Sequence, residues 1–331
     1  MEVFPDDLTS LTYKCVLGAC ILSCTGCLFV ICSIYKFPSL RAFPFRMVGW
    51  LASADLGICF AYFLGTGAGT GHFRCYLQGV SYIYFNLVSI FLSVGLAHLV
   101  RLMVGGGPGG FGAARAAEGR VLAVSFSVPA ALALLPLATD DYGDTGAWCS
   151  ISGDGGGASW DTGEIWMFFC FYLPLWLGVA YISFCYTAVY RNIRGVRRAW
   201  ELAYGSAGEE ERKEGGGGGG RGGLRPKPDS TALEYSRRVW LYPVVLAACY
   251  FFATLDKIII LCTGQGVFSI YLLEFVTIGL SGCCDALVYG ATGSVRAAWA
   301  AEARRLRGPG APWWPDRLLC LCRPATATLA T

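Results

Sequence analysis

Seven long apolar stretches set the terms on which this chain can fold. The first, CVLGACILSCTGCLFVICSIY from Cys15 to Tyr35, holds no charged residue. The others run from about Met47 to Leu64, Cys75 to Val100, Val121 to Ala138, Ile165 to Tyr190, Val239 to Cys262 and Phe268 to Gly290. An apolar helix of about 20 residues crosses the roughly 30 Å hydrocarbon core of a bilayer. Within lipid a segment must satisfy its own backbone hydrogen bonds, which helices do. The expected fold class is an all-α membrane protein, a seven-transmembrane helix bundle. Pro129 and Pro136 in the fourth stretch, Pro174 in the fifth and Pro243 in the sixth would break soluble helices. In a bundle, neighbouring helices re-satisfy the freed carbonyls. Composition agrees: 55% of the 331 residues are hydrophobic and 15% charged, too apolar for an ordinary soluble domain. A net charge of +3 gives no bulk basicity that would suggest nucleic acid as a partner.

The placement of charge sets the orientation. Lys36, Arg41 and Arg46 follow the first stretch, and Arg115 and Arg120 follow the third. The loop after the fifth opens with Arg191, Arg194, Arg197 and Arg198 and closes with Arg237 and Arg238. The opposite side carries Glu2, Asp6, Asp7 and six carboxylates between residues 139 and 164. Lysine and arginine stay in the cytoplasm, so the N-terminus is expected outside and the C-terminus inside, as an odd number of spans requires. The acidic N-terminal flank lacks a signal-peptide n-region, so the first stretch is read as its own insertion signal. The expected domains are an extracellular N-terminus at 1–14, a transmembrane domain at 15–290 and a cytoplasmic tail at 308–331. An amphipathic juxtamembrane helix is expected at 291–307, from SVRAAWAAEARRLR, with Trp299 and alanines toward lipid and arginines toward water. A disordered cytoplasmic loop is expected at about 205–232, where a mixed-charge run meets six consecutive glycines and two prolines. Ser230, Thr231 and Ser236 are candidate phosphorylation sites there. Cys320 and Cys322 in the tail are read as ordinary reduced thiols in preference to palmitoylation sites.

In this orientation Cys149, in the acidic loop, and Cys75, at the start of the third stretch, both face the oxidising side. A Cys75–Cys149 disulfide would draw the loop across the mouth of the bundle as a tethered lid, and would contribute about 2–4 kcal/mol. The alternative is two free extracellular thiols. The other cysteines lie mostly in apolar helices, where cysteine packs as a small hydrophobe.

These features together resemble G-protein-coupled receptors. More narrowly, the chain is similar to the cyclic-AMP-receptor-like family of slime-mould chemotaxis. The resemblance rests on CYLQGVSYIYFNLVSIF in the third stretch, WC in the loop and FYLPLW in the fifth. YPVVLAACYFFATLDKI in the sixth and DALVYG in the seventh complete it, over about residues 45 to 305. There are departures. The third stretch ends HLVRLM without an Asp-Arg-Tyr triplet, the seventh lacks Asn-Pro-x-x-Tyr, and LASADL in the second is similar to rhodopsin-like receptors.

Charges inside the membrane are costly, about 2.5–3.5 kcal/mol each on insertion scales, and mark function. Asp55 lies about 12 Å deep from the cytoplasmic start of the second stretch, and Asp285 lies near the cytoplasmic end of the seventh. Side by side they could not both ionise comfortably. They are read as an activation core, with hydrogen-bonded helix glue as the alternative. Nearer the outer surface stand Asp256, Lys257 and Glu274. Lys257 pairs with Glu274 in one reading and meets an anionic ligand in the other, the role that the resemblance implies for a basic residue here. Gln78, Tyr82 and Asn86 form a polar stripe at four-residue spacing, and Trp148 and Tyr271 would line an aromatic mouth. On the cytoplasmic side His98 and Arg101 end the third stretch, where the resemblance implies that a G-protein inserts. Arg191, Arg194, Arg197, Arg198, Arg237 and Arg238 extend that basic face.

The expected function is that of a plasma-membrane, multi-pass G-protein-coupled receptor. It would sense an extracellular, cyclic-AMP-like anionic small molecule and activate a heterotrimeric G-protein. A seven-helix small-solute transporter is the alternative, although the first and last three helices show no repeat. A microbial-type retinal protein is disfavoured because residues 268–290 hold no lysine. With histidines only at positions 72 and 98, and no phosphate loop, no enzyme, cofactor or metal site is expected.

Overall fold

The first apolar stretch forms one long helix, α1 (Asp6–Lys36). It stops where Phe37, directly before Pro38, is driven into an extended conformation. The structure, a computed structural model, describes residues 5–65, 73–145, 148–152, 162–213 and 241–307. The second and third stretches become α2 (Phe43–Phe63), with Pro44 in its first turn, and α3 (Phe73–Gly105). The fourth, α4 (Gly110–Leu134), begins well before the expected Val121 and runs on through a 3-10 turn to Ala138. Its extra N-terminal turns are rich in alanine, the strongest helix former.

A two-stranded antiparallel hairpin follows, β1 (Tyr142–Asp144) paired with β2 (Cys149–Ile151), Tyr142 opposite Ile151. The fifth span comprises α5 (Thr162–Met167), a π-helical turn at Phe168–Tyr172 and α6 (Leu173–Lys213). The π turn sits just before Pro174, whose missing N–H and ring disturb the ladder of the preceding turn. The sixth span is α7 (Leu241–Thr263), with Pro243 in the first turn of the described helix. The seventh is broken into α8 (Phe268–Gly279) and α9 (Ser281–Gly290), bent by 45°. Finally α10 (Gly293–Arg307) leaves the bundle.

A further boundary differs from the sequence reading. The loop expected to be disordered from about residue 205 is helical as far as Lys213. Glu209, Glu210, Glu211, Arg212 and Lys213 are good helix formers and extend the ladder of α6 outward. Residues 214–240 lie outside the described residues, and so does the tail at 308–331 with Cys320 and Cys322.

Among the described residues, five helices are long and apolar enough to cross a membrane, and the bent pair α8–α9 makes a sixth. α2 packs between α1 and α3 and completes a bundle of seven. α3 is its central post, packed on α2, α4, α6 and the hairpin, while α1 rests on α2, α8 and α9. Two core clusters stack along the bundle axis. One, at the hairpin end, joins Tyr62, Tyr82, Trp148, Phe171 and Tyr250. The other, at the α10 end, joins Met47, Leu96, Leu99, Tyr289 and Val295. Large apolar side chains also cover the outside: Phe60, Leu177, Phe251, Leu261 and Leu287 are all exposed. A water-soluble protein seldom exposes so many large apolar side chains on long apolar helices, and a lipid bilayer suits them. The chain is a multi-pass membrane protein.

α10 is fastened to the C-terminal end of α1. The Trp299 ring stacks on Phe29 at 5.8 Å and meets Phe37 edge-on at 5.2 Å. Its Nε1–H donates to Ser33 Oγ at 3.0 Å, and Lys36 pairs with Glu302 at 3.2 Å.

Candidate functional site

The hairpin is held against the bundle by four separate contacts. Cys75 at the start of α3 and Cys149 in β2 form a disulfide, with Cα atoms 5.2 Å apart. One turn along α3, Gln78 Oε1 accepts the Cys149 N–H at 3.0 Å. Its Nε2 donates to the carbonyls of Ala61 and Gly65, each at 3.1 Å. The Tyr142 phenol donates to the Ala133 carbonyl at the end of α4 at 2.7 Å, and burial pushes its pKa up, which keeps it a donor. Its ring crosses Gly79 so closely that a Cβ there would lie 2.5 Å from Tyr142 Cδ1. Only glycine fits beneath the hairpin at that position.

Under this lid lies a cavity of about 450 Å³. Its walls come from α3 (Tyr82), the hairpin (Trp148, Ser150, Ile151), the fifth span (Glu164, Phe171, Trp176), α7 (Asp256, Lys257) and α8 (Tyr271, Glu274, Phe275). The rings form a continuous group. Trp148 lies 4.6 Å from Phe275 and 5.1 Å from Tyr62, and Tyr271 lies 4.8 Å from Phe275, all between centroids. Asp256 and Glu274 are buried and Lys257 is half-buried.

The cavity therefore gathers Tyr82, Trp148, Asp256, Lys257, Tyr271 and Glu274 from the residues singled out in the sequence. Gln78 and Asn86 do not line it. Gln78 is the clamp of the lid. Asn86, buried, donates to the Tyr82 carbonyl and accepts from the Tyr250 hydroxyl at 2.7 Å, which ties α3 to α7. A stripe of constant spacing on α3 thus serves three neighbours. Lys257 and Glu274 share the cavity wall, but no direct ion pair joins them among the described residues. Sequence reasoning missed Phe275, Trp176 and Phe171, because an aromatic residue in an apolar helix looks the same whether it faces lipid or a cavity; Glu164 was visible there only as one of the loop's six carboxylates.

Deeper in the bundle, Asp55 is 1% exposed and Asp285 7%. Asp55 Oδ1 accepts from Ser89 of α3 at 3.1 Å and from Ser281 of α9 at 3.4 Å. Asp285, on the same helix as Ser281, is a near neighbour of Asp55. This network joins α2, α3 and α9 at the break in the seventh span. The serines were visible in the sequence only as small polar residues in apolar runs, and nothing there signalled their partner.

At the α10 end, His98 Nδ1 and the Tyr181 hydroxyl of α6 share a hydrogen bond of 2.7 Å, and the two rings stack. The Arg101 guanidinium lies 4.9 Å from the centre of the Phe184 ring. Both residues thereby face the fifth span. Arg191, Arg194 and Arg198 are exposed on α6, with Arg194 over the Tyr190 ring. Arg197 lies on the same helix, and Arg237 and Arg238 fall outside the described residues. Between α2 and α4, Arg46 and Glu118 make a two-pronged ion pair.

No protein-family profile matches the chain. A curated Arabidopsis thaliana protein named G-protein coupled receptor 1 is 24% identical over 287 residues, which cover 85% of this chain and 78% of that protein. The crystal structure of squid rhodopsin matches with a TM-score of 0.62 at 15% identity, over 96% of this chain and 91% of that one. The fold is the rhodopsin-like seven-helix bundle. The hairpin lid and the cavity beneath it stand at one end of that scaffold and the basic residues of α6 at the other.

Proposed function

We propose that this chain is a G-protein-coupled receptor of the plasma membrane, which binds a small molecule from outside the cell and activates a heterotrimeric G-protein. The observation that carries the reading is the cavity under a disulfide-tethered hairpin, at the end of the bundle opposite the basic face. The name of the Arabidopsis relative supports the same class. Asp55, Ser89, Ser281 and Asp285 stand between the two ends. A buried pair of carboxylates bridging three helices can be rebalanced by a shift of one helix. His98 and Arg101, held on α6 here, are the groups that a separation of α3 from α6 would release toward a partner.

The sequence pointed to an anionic ligand of the cyclic-AMP kind. On the cavity wall that form of the proposal has one supporting side chain, Lys257, set against three carboxylates, Glu164, Asp256 and Glu274.

Formation of a nucleotide-free complex tests the reading. Detergent-solubilised full chain is mixed with a panel of heterotrimers spanning the Gα classes, and guanine nucleotide is removed enzymatically. One heterotrimer is expected to co-elute with the chain and to dissociate when a non-hydrolysable GTP analogue is added. If no heterotrimer shows nucleotide-sensitive co-elution, the receptor reading fails and the seven-helix transporter takes its place.

A further inference from the structure

We propose that the cavity takes an organic cation with an aromatic or apolar body, its ammonium group held by Glu274 among the rings of Tyr82, Trp148, Tyr271 and Phe275. This rests on the receptor reading only for its biological meaning; the chemistry stands on the cavity itself. Glu274 lines the cavity at 7% exposure, and its carboxylate forms no hydrogen bond or ion pair with any other described residue. A buried carboxylate that touches no cation is costly; Lys257 acts on it from the same wall without contact, and a ligand cation would place a charge directly against it.

The surroundings select the same sign. Tyr271 lies one helical turn before Glu274 on α8 and Phe275 immediately after it, and these two rings are 4.8 Å apart. Trp148 closes over Phe275 at 4.6 Å, and the Tyr82 ring centre stands 6.5 Å from that of Phe275. Ring faces carry negative electrostatic potential and attract ammonium groups, most strongly where water is excluded. An anion would meet those faces and the carboxylate of Glu274 as well. Two buried polar atoms belong to wall residues of the lid and have no hydrogen-bond partner among the described residues: Trp148 Nε1 and Ser150 Oγ. They suit a hydrogen-bonding group on the ligand at the lid side. A volume of about 450 Å³ is within the range of small-molecule sites.

The experiment uses the purified full chain in lipid nanodiscs, without G-protein, and reads thermal stability against a matched series. Phenethylamine and larger arylalkylamines are the cations, with phenylacetate and cyclic AMP as anions and 2-phenylethanol as the neutral isostere. The amines are expected to raise the melting temperature in a saturable way, and the anions and the alcohol to leave it unchanged. Glu274→Gln should weaken amine binding about ten- to a hundredfold. Should that variant fail to give monodisperse, disulfide-bonded protein, Phe275→Leu serves instead and should weaken the amine selectively over the alcohol. Stabilisation by an anion and not by amines, no shift with any amine, or unchanged amine binding in the variant would overturn the proposal. Amine binding without any nucleotide-sensitive G-protein complex would remove the receptor reading and leave this one standing. A complex promoted by an anion would do the reverse.

Discussion

At the scale of single residues, Gln78 is the clearest case of a side chain whose role depends on a distant partner. Its amide is engaged at both ends, holding the Cys149 N–H on one side and two carbonyls at the end of α2 on the other. Replacement by alanine leaves these groups unsatisfied in a buried place, at a cost of about 1–3 kcal/mol. Gln78→Ala is therefore expected to lower the melting temperature of the purified chain while the Cys75–Cys149 bridge still forms, and Cys75→Ser to lower it further. An unchanged melting temperature for Gln78→Ala would show that the lid is positioned without it. The sequence made Gln78, Tyr82 and Asn86 visible as polar residues on one stripe. It did not separate them, because the partners of Gln78 and Asn86 lie 71 and 164 positions away. Glu274 and Lys257 were legible as costly charges in apolar runs. That they share a wall without pairing is a matter of helix rotation, which periodicity leaves open.

At the scale of elements, the number, order and approximate length of the spans were readable because lipid demands long apolar helices. The departures from straight helices were not. The seventh span bends by 45° with no proline, and the bend is secured by small residues on both sides. A Cβ on Gly282 would lie 2.4 Å from Cys27 Sγ and 2.6 Å from Ser23 Oγ, so α9 approaches α1 more closely than any larger residue allows. The Cys283 N–H, next to the break, donates to Ser23 Oγ at 3.1 Å. Gly282→Val is expected to destabilise the bundle by about 1–3 kcal/mol through overpacking, and to disturb the Asp55 network because Asp55 Cβ is the third near neighbour at 2.9 Å. The check is a thermal-unfolding comparison with Gly18→Val, where a Cβ meets nothing within 4 Å. Equal effects at the two glycines would contradict this account of the bend. The helical extension of α6 to Lys213 escaped the sequence reading because glycine-rich and charged composition was weighed above the local helix propensity of the Glu-Arg-Lys run.

At the scale of the whole molecule, the charge asymmetry of the loops and the two outward cysteines already implied a bundle with a covered outer mouth. The disulfide and the hairpin give that mouth its shape. What charge counting could not supply was the sign of the cavity, since three carboxylates and one lysine meet there only after four helices and a loop have packed. In the proposed receptor, occupancy at this end is felt at the other, where His98 and Arg101 contact α6. The direct measurement is the rate of guanine-nucleotide exchange on the matched heterotrimer in membranes bearing the chain, beside membranes bearing His98→Ala with Arg101→Ala at equal surface abundance. Exchange is expected to be faster than in empty membranes, raised further by a cavity ligand and lost in the double variant. Exchange no faster than in empty membranes for every heterotrimer and ligand would contradict it.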